Sequence, residues 1–132
     1  MNVSFDTNVL VSAVATRGLC ADIVNAVLAE HQLIIGETVL RELRQVLRQK
    51  LRLPAAAVDE MEAFLRQNAT VVMGAPVIEA PMLDANDRAV LAEAVAGKSE
   101  VLVTGDQDLL AVASRVPIKI LSPRGFWELL RS

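Results

Sequence analysis

The sequence predicts an α/β domain in which a mostly parallel sheet forms the middle of a three-layer α/β/α sandwich. Three observations lead there. Short apolar runs alternate with amphipathic stretches along the whole chain, several of the runs are near-continuous Val, Ile and Leu, and two of them end in an aspartate. The 132 residues suit one domain spanning 1–132, long enough for a single core without disulfides. With 53% hydrophobic residues and a formal charge of −3, the composition is not that of a disordered chain.

Taken in order, Asn2–Phe5 reads as a strand, Thr7–Ala15 as a short helix broken before Gly18, and Leu19–Glu30 as a helix with Ile23, Val24, Val27 and Leu28 inward. Gln32–Ile35 is a strand closed by Gly36. Thr38–Leu51 is a helix stopped by Pro54, whose fixed φ suits the first turn of the next helix, with Val58, Met61, Phe64 and Leu65 inward. Thr70–Met73 is a strand and Gly74–Leu83 a loop with two prolines. Asp84–Ala96 is a helix, Val101–Thr104 a strand, Leu109–Ser114 a helix and Pro117–Leu121 an edge strand. Ser122 and Pro123 cap a last helix carrying Phe126, Leu129 and Leu130. The two consecutive helices between Thr38 and Asn68 interrupt the alternation and suggest a short αα arm.

No apolar stretch reaches the roughly 20 residues a membrane span needs. The N-terminus runs straight into Val3-Ser4-Phe5-Asp6 with no basic and apolar leader, so the protein is expected in the cytoplasm. The lone Cys20 reads as a small buried hydrophobe, and His31 falls among polar helix-end residues. Net acidity disfavours non-specific nucleic-acid binding, yet Arg41, Arg44, Arg48, Lys50 and Arg52 cluster against a single acid, Glu42. On a helix, Arg41, Arg44, Arg48 and Arg52 share one side, next to a stripe of Leu40, Leu43, Leu47 and Leu51. Such a ridge either snorkels over the core or meets phosphates.

The acids carry the chemistry. Asp6 and Asp106 each follow a strand, and in an open parallel sheet both belong in the crevice outside the carboxyl ends, where strand order reverses. Like charges gathered there repel, and a hard cation such as Mg²⁺ is the usual reason to tolerate them. Each is also a plausible helix cap. Asn8 offers an amide that could orient Asp6. Gly105 allows a close approach, and Asp108 is either a further cap or a residue supporting the metal. Asp84 and Asp87 open a helix as cap and first-turn acid, or turn into the same crevice. Glu42 has no basic residue at i+3 or i+4, so an ion pair within its helix is not its purpose. Glu60, Glu62 and Glu93 read as solvated-face residues.

Together, Asp6-Thr7-Asn8-Val9-Leu10, Val39-Leu40-Arg41-Glu42-Leu43, Asp84-Ala85-Asn86-Asp87 and Val103-Thr104-Gly105-Asp106-Gln107-Asp108-Leu109-Leu110 resemble the PIN-domain family of metal-dependent ribonucleases. The resemblance covers essentially the whole chain and is greatest to prokaryotic toxin components of toxin–antitoxin pairs. It implies that the family's four acids fall on Asp6, Glu42, Asp87 and Asp106, with Asp84 as the alternative third acid and Asp108 as an additional one. Asn8 and Thr104 then fill the accompanying polar positions. The implied reaction is hydrolysis of RNA phosphodiesters assisted by Mg²⁺ or Mn²⁺, with Asp6 and Asp106 as principal ligands and Glu42 and Asp87 as further ones. Arg41, Arg44 and Arg48 are placed to meet RNA phosphates beside Glu42. An antitoxin protein and a homodimer are the implied partners.

Two other readings are open. A non-catalytic PIN scaffold binding RNA or protein fits the same fold. A haloacid-dehalogenase-type phosphatase also starts with an aspartate after its first strand, but it requires a second aspartate two positions on, where this chain has Asn8.

Overall fold

A computed structural model describes residues 1–76 and 78–132. Five strands form one sheet: β1 (Asn2–Phe5), β2 (Gln32–Gly36), β3 (Ala69–Val72), β4 (Val101–Val103) and β5 (Lys119–Leu121). Their order is β3-β2-β1-β4-β5, and all four pairings are parallel. β1 pairs with β2 on one side and β4 on the other, so the connections reverse direction between β1 and β4. That is the switch point at which α/β sheets bind ligands.

Helices flank the sheet: α1 (Thr7–Ala15), α2 (Leu19–Glu30), α3 (Glu37–Gln49), α4 (Ala55–Asn68), α5 (Ala85–Ala96), α6 (Gln107–Ala111) and α7 (Pro123–Arg131). Val3, Ser4 and Phe5 of β1 and Val101, Leu102 and Val103 of β4 are all buried, the pattern of strands covered on both faces. α7 starts as its sequence dictates, with the Ser122 side chain accepting from the Gly125 amide at 3.0 Å and proline in the first turn. Phe126 then meets Phe5 edge-on, ring centroids 6.2 Å apart, and so packs beneath the residue that precedes Asp6. No single helix among the described residues is long and apolar enough to cross a membrane.

Several boundaries differ from expectation, each for a local reason. α3 stops at Gln49 rather than Leu51. Arg52 takes a left-handed φ of 55°, and the Leu53 amide turns back to the Leu47 carbonyl at 3.0 Å. Leu51 and Arg52 therefore leave the stripe and the ridge, and Leu51 is exposed. Pro54 is the N-cap of α4 and not its first helical residue. β3 starts one residue early at Ala69, β4 ends at Val103, and β5 begins at Lys119. α6 begins at Gln107 because Asp106 itself is the cap, and the chain after it tightens into a 3₁₀ turn at Ala113–Arg115. The loop expected over Gly74–Leu83 includes Val77, which lies outside the described residues. α3 and α4 pack as a pair tied by ions: Arg44 bridges Asp59 and Glu62, and Arg66 bridges Glu62 and Glu37. Glu93, expected on a solvated face, is buried at 8% exposure because α5 packs that side against the start of α3.

Candidate metal centre

The ends of β1 and β4 deliver two acids to one place. The Asp6 amide donates to the Val103 carbonyl at 2.9 Å, which carries the β1–β4 ladder one residue beyond β1. The Asp6 carboxylate is buried. Its Oδ1 accepts from the Thr7 amide at 2.8 Å, capping α1, and its Oδ2 accepts from the Thr104 hydroxyl at 2.8 Å. Thr104 is fully buried, and its Oγ1 in turn accepts from the Asp106 amide at 3.0 Å. One hydroxyl therefore ties the carboxylate of the first acid to the backbone of the last.

Asp106 caps α6, accepting from the amides of Asp108 at 2.8 Å and Leu109 at 3.4 Å. Capping and membership of the site coexist here, since a carboxylate has lone pairs to spare after accepting one or two bonds. At the start of α5, Asp84 is exposed and caps the helix by accepting from the Asp87 amide at 2.8 Å. Asp87 is buried. Asp87, Asp106 and Asp108 each offer a carboxylate oxygen within 4.8 Å of the others, so Asp87 rather than Asp84 reaches the crevice, and Asp108 stands in its inner group.

Glu42 arrives from α3. Its Oε1 accepts from the Thr7 hydroxyl and its Oε2 from the Asn86 amide, both at 3.0 Å. The bonds that orient Asp6 and Glu42 thus come from Thr104, Thr7 and Asn86, while Asn8 points outward and is exposed. Thr7 and Asn86 went unread in the sequence, although each directly adjoins an acid already singled out. Nothing approaches within 4 Å of a Cβ built on Gly105, so the close approach expected there involves no protein atom and the space beside it is open.

The electrostatics follow from crowding in a partly dry crevice. Burial, then the charges of Asp106, Asp84, Asp6 and Asp108, push the Asp87 carboxyl up to about 6. Burial also raises Asp6, aided by Glu42 and Asp106 and opposed by the bonds from Thr104 and Thr7. Carboxylates set against one another in this way fit a hard divalent cation. The donors are all oxygen, as Mg²⁺ and Mn²⁺ prefer, and no histidine or cysteine joins the inner group.

The three arginines of α3 have separate fates. Arg44 is committed to Asp59 and Glu62, and Arg48 donates to the Leu53 carbonyl at 2.8 Å, closing the turn into α4. Arg41 is exposed and enters none of the ion pairs found among the described residues. All three line an open groove of about 510 Å³, together with Glu37, Glu62 and Arg66, so its charge is mixed.

A family model described as PIN domain matches residues 2–108, the stretch that carries the acids at the switch point of the sheet. The chain belongs to the PIN-domain family. This PIN domain is similar in structure to a chain from the crystal structure of VapBC2 from Rickettsia felis bound to a DNA fragment from their promoter. The TM-score is 0.59 at 17% identity, covering 92% of this chain and 97% of that one. At that identity the likeness is one of fold. A comparison with curated proteins finds no significant match.

Proposed function

We propose that this PIN domain is a metal-dependent endoribonuclease and the toxin component of a toxin–antitoxin pair. The observation that carries the reading is the convergence of Asp87, Asp106 and Asp108 within 4.8 Å, with Asp6 and Glu42 fixed around them by hydrogen bonds. Asp6, Asp106 and Asp87 are the groups to hold Mg²⁺ or Mn²⁺, with Glu42 and Asp108 as ligands directly or through water. Thr104 and Asp84 keep them in place. A bound cation supplies a more acidic water and offsets charge on the scissile phosphate. The chain's own contribution is to fix the carboxylates in advance, so that binding requires little rearrangement. Arg41, exposed and next to Glu42 on α3, is the cation to meet an RNA phosphate, with Arg44 and Arg48 contributing field.

The test is RNA cleavage by the purified protein. Activity should require Mg²⁺ or Mn²⁺, stop with chelator, and vanish in Asp6→Asn and in Asp106→Asn. Undiminished cleavage by either variant sinks the assignment. Absence of Mn²⁺ binding at millimolar metal would favour the non-catalytic scaffold instead.

The partner reading rests on the VapBC2 likeness and on an apolar groove of about 230 Å³ between α1, α2, α3 and α4. Val24 and Leu28 of α2 face Met61, Phe64 and Leu65 of α4 there, and Phe64 is 49% exposed. An antitoxin would cover such a surface and bring a basic side chain to the carboxylates. A half-buried free cysteine is compatible with the cytoplasm, the compartment in which this activity would act.

A further inference from the structure

Glu93 is the buried charge that the acidic crevice does not use. Its Oε1 accepts from the Thr38 amide at 3.0 Å and its Oε2 from the Thr38 hydroxyl at 2.5 Å. α3 has no cap of its own, because its N-cap residue is Gly36. A carboxylate from another helix supplies what the local sequence lacks, an acceptor and a negative charge at a helix start. Gly36 makes room for it: a Cβ there would sit 1.9 Å from Glu93 Oε1. α5 grips α3 a second time where Asn86 donates to Glu42. Asn86 and Glu93 lie about two turns apart on one face of α5, and Thr38 and Glu42 about one turn apart on one face of α3. Asn86 with Glu42 and Glu93 with Thr38 thus tie α5 to α3 at two points, met in opposite order along the two helices. A buried ionic group of this kind favours one arrangement over its neighbours more than it favours the folded state.

We propose that Glu93 is a positioning residue, a clamp from α5 that fixes α3 in the register presenting Glu42 to the crevice beside Asp87. Its effect on the site rests on reading that crevice as a metal centre. Glu93→Ala should weaken Mn²⁺ binding, measured by calorimetry on folded protein, and lower kcat on RNA, each about ten-fold, with KM little changed. Glu93→Gln, whose amide still meets the Thr38 amide and hydroxyl, should recover most of both. A lowered melting temperature with parental Mn²⁺ affinity and kcat would overturn the proposal. If Glu93→Ala does not fold, Thr38→Val removes half of the same clamp and is judged by the same measurements. A stability cycle on Thr38→Val, which removes the hydroxyl half of the clamp, and Asn86→Ala needs neither metal nor RNA. Non-additive losses support a shared register, and additive losses overturn it. A parent that neither binds Mn²⁺ nor cleaves RNA defeats the metal-centre reading, and the cycle then decides the clamp by itself.

Discussion

Thr104 concentrates the design of the site in one side chain. It donates to Asp6, accepts from the Asp106 amide, and has no exposure to water that could replace either bond. Thr104→Val should therefore cost about 1–3 kcal/mol in denaturant unfolding, a penalty for leaving the buried Asp6 oxygen and the half-buried Asp106 amide without their partner. Asp87 gives the opposite sign. Its folded pKa, about 6, exceeds the ordinary 3.8, so the native state binds more protons between those values, and stability falls as pH rises through that window. Asp87→Asn should reduce that decline, to which the raised Asp6 also contributes, and, without metal, make the protein more stable at pH 7 by up to about 3 kcal/mol, as urea titrations at pH 4 and pH 7 would register. Added Mn²⁺ should narrow the gap by binding the parent more tightly. At this scale Asp6 and Asp106 were legible, because strand-end carboxylates announce themselves by position, whereas Glu42 and Asp87, both on helices, stood out only through the family resemblance. The donors that hold them were not legible. Thr7 reaches Glu42 across 35 positions, Asn86 reaches it across 44, and Glu93 reaches Thr38 across 55, distances over which one sequence carries no pairing signal.

α3 shows what an element can and cannot declare. Its heptad-like leucines fixed which face would be buried, and Leu40, Leu43 and Leu47 are indeed inside. Its end was hidden, since an arginine in the left-handed conformation closes the helix where glycine would have advertised the stop. The arginine face was half legible. Arg44 and Arg48 serve the α3–α4 unit, which only their partners reveal: Asp59 and Glu62 on α4 for the first, the Leu53 carbonyl before α4 for the second. Arg44→Ala should accordingly loosen the packing of α3 on α4, seen as faster amide exchange at the start of α4. Arg41→Ala should leave exchange unchanged and reduce the slope of RNA affinity against salt by about 1. An unaltered slope would return Arg41 to the solvated surface.

For the whole molecule, alternating runs were enough to predict the parallel sheet, while the strand order, which sets where the site lies, emerges only from the pairing of β1 with both β2 and β4. The apolar groove between α2 and α4 leaves Phe64, expected to point inward, half exposed. Light scattering at micromolar concentration should give the mass of a homodimer, and a clean monomer mass would reject association through any face. The central place of β1 has a further consequence for how the protein comes into being. Thr104 reaches back to Asp6 over 98 residues, and β1 has only one neighbour until β4 is available to pair with it. Most of the chain must therefore be made before the two strand-end acids joined through Thr104 can be set against each other.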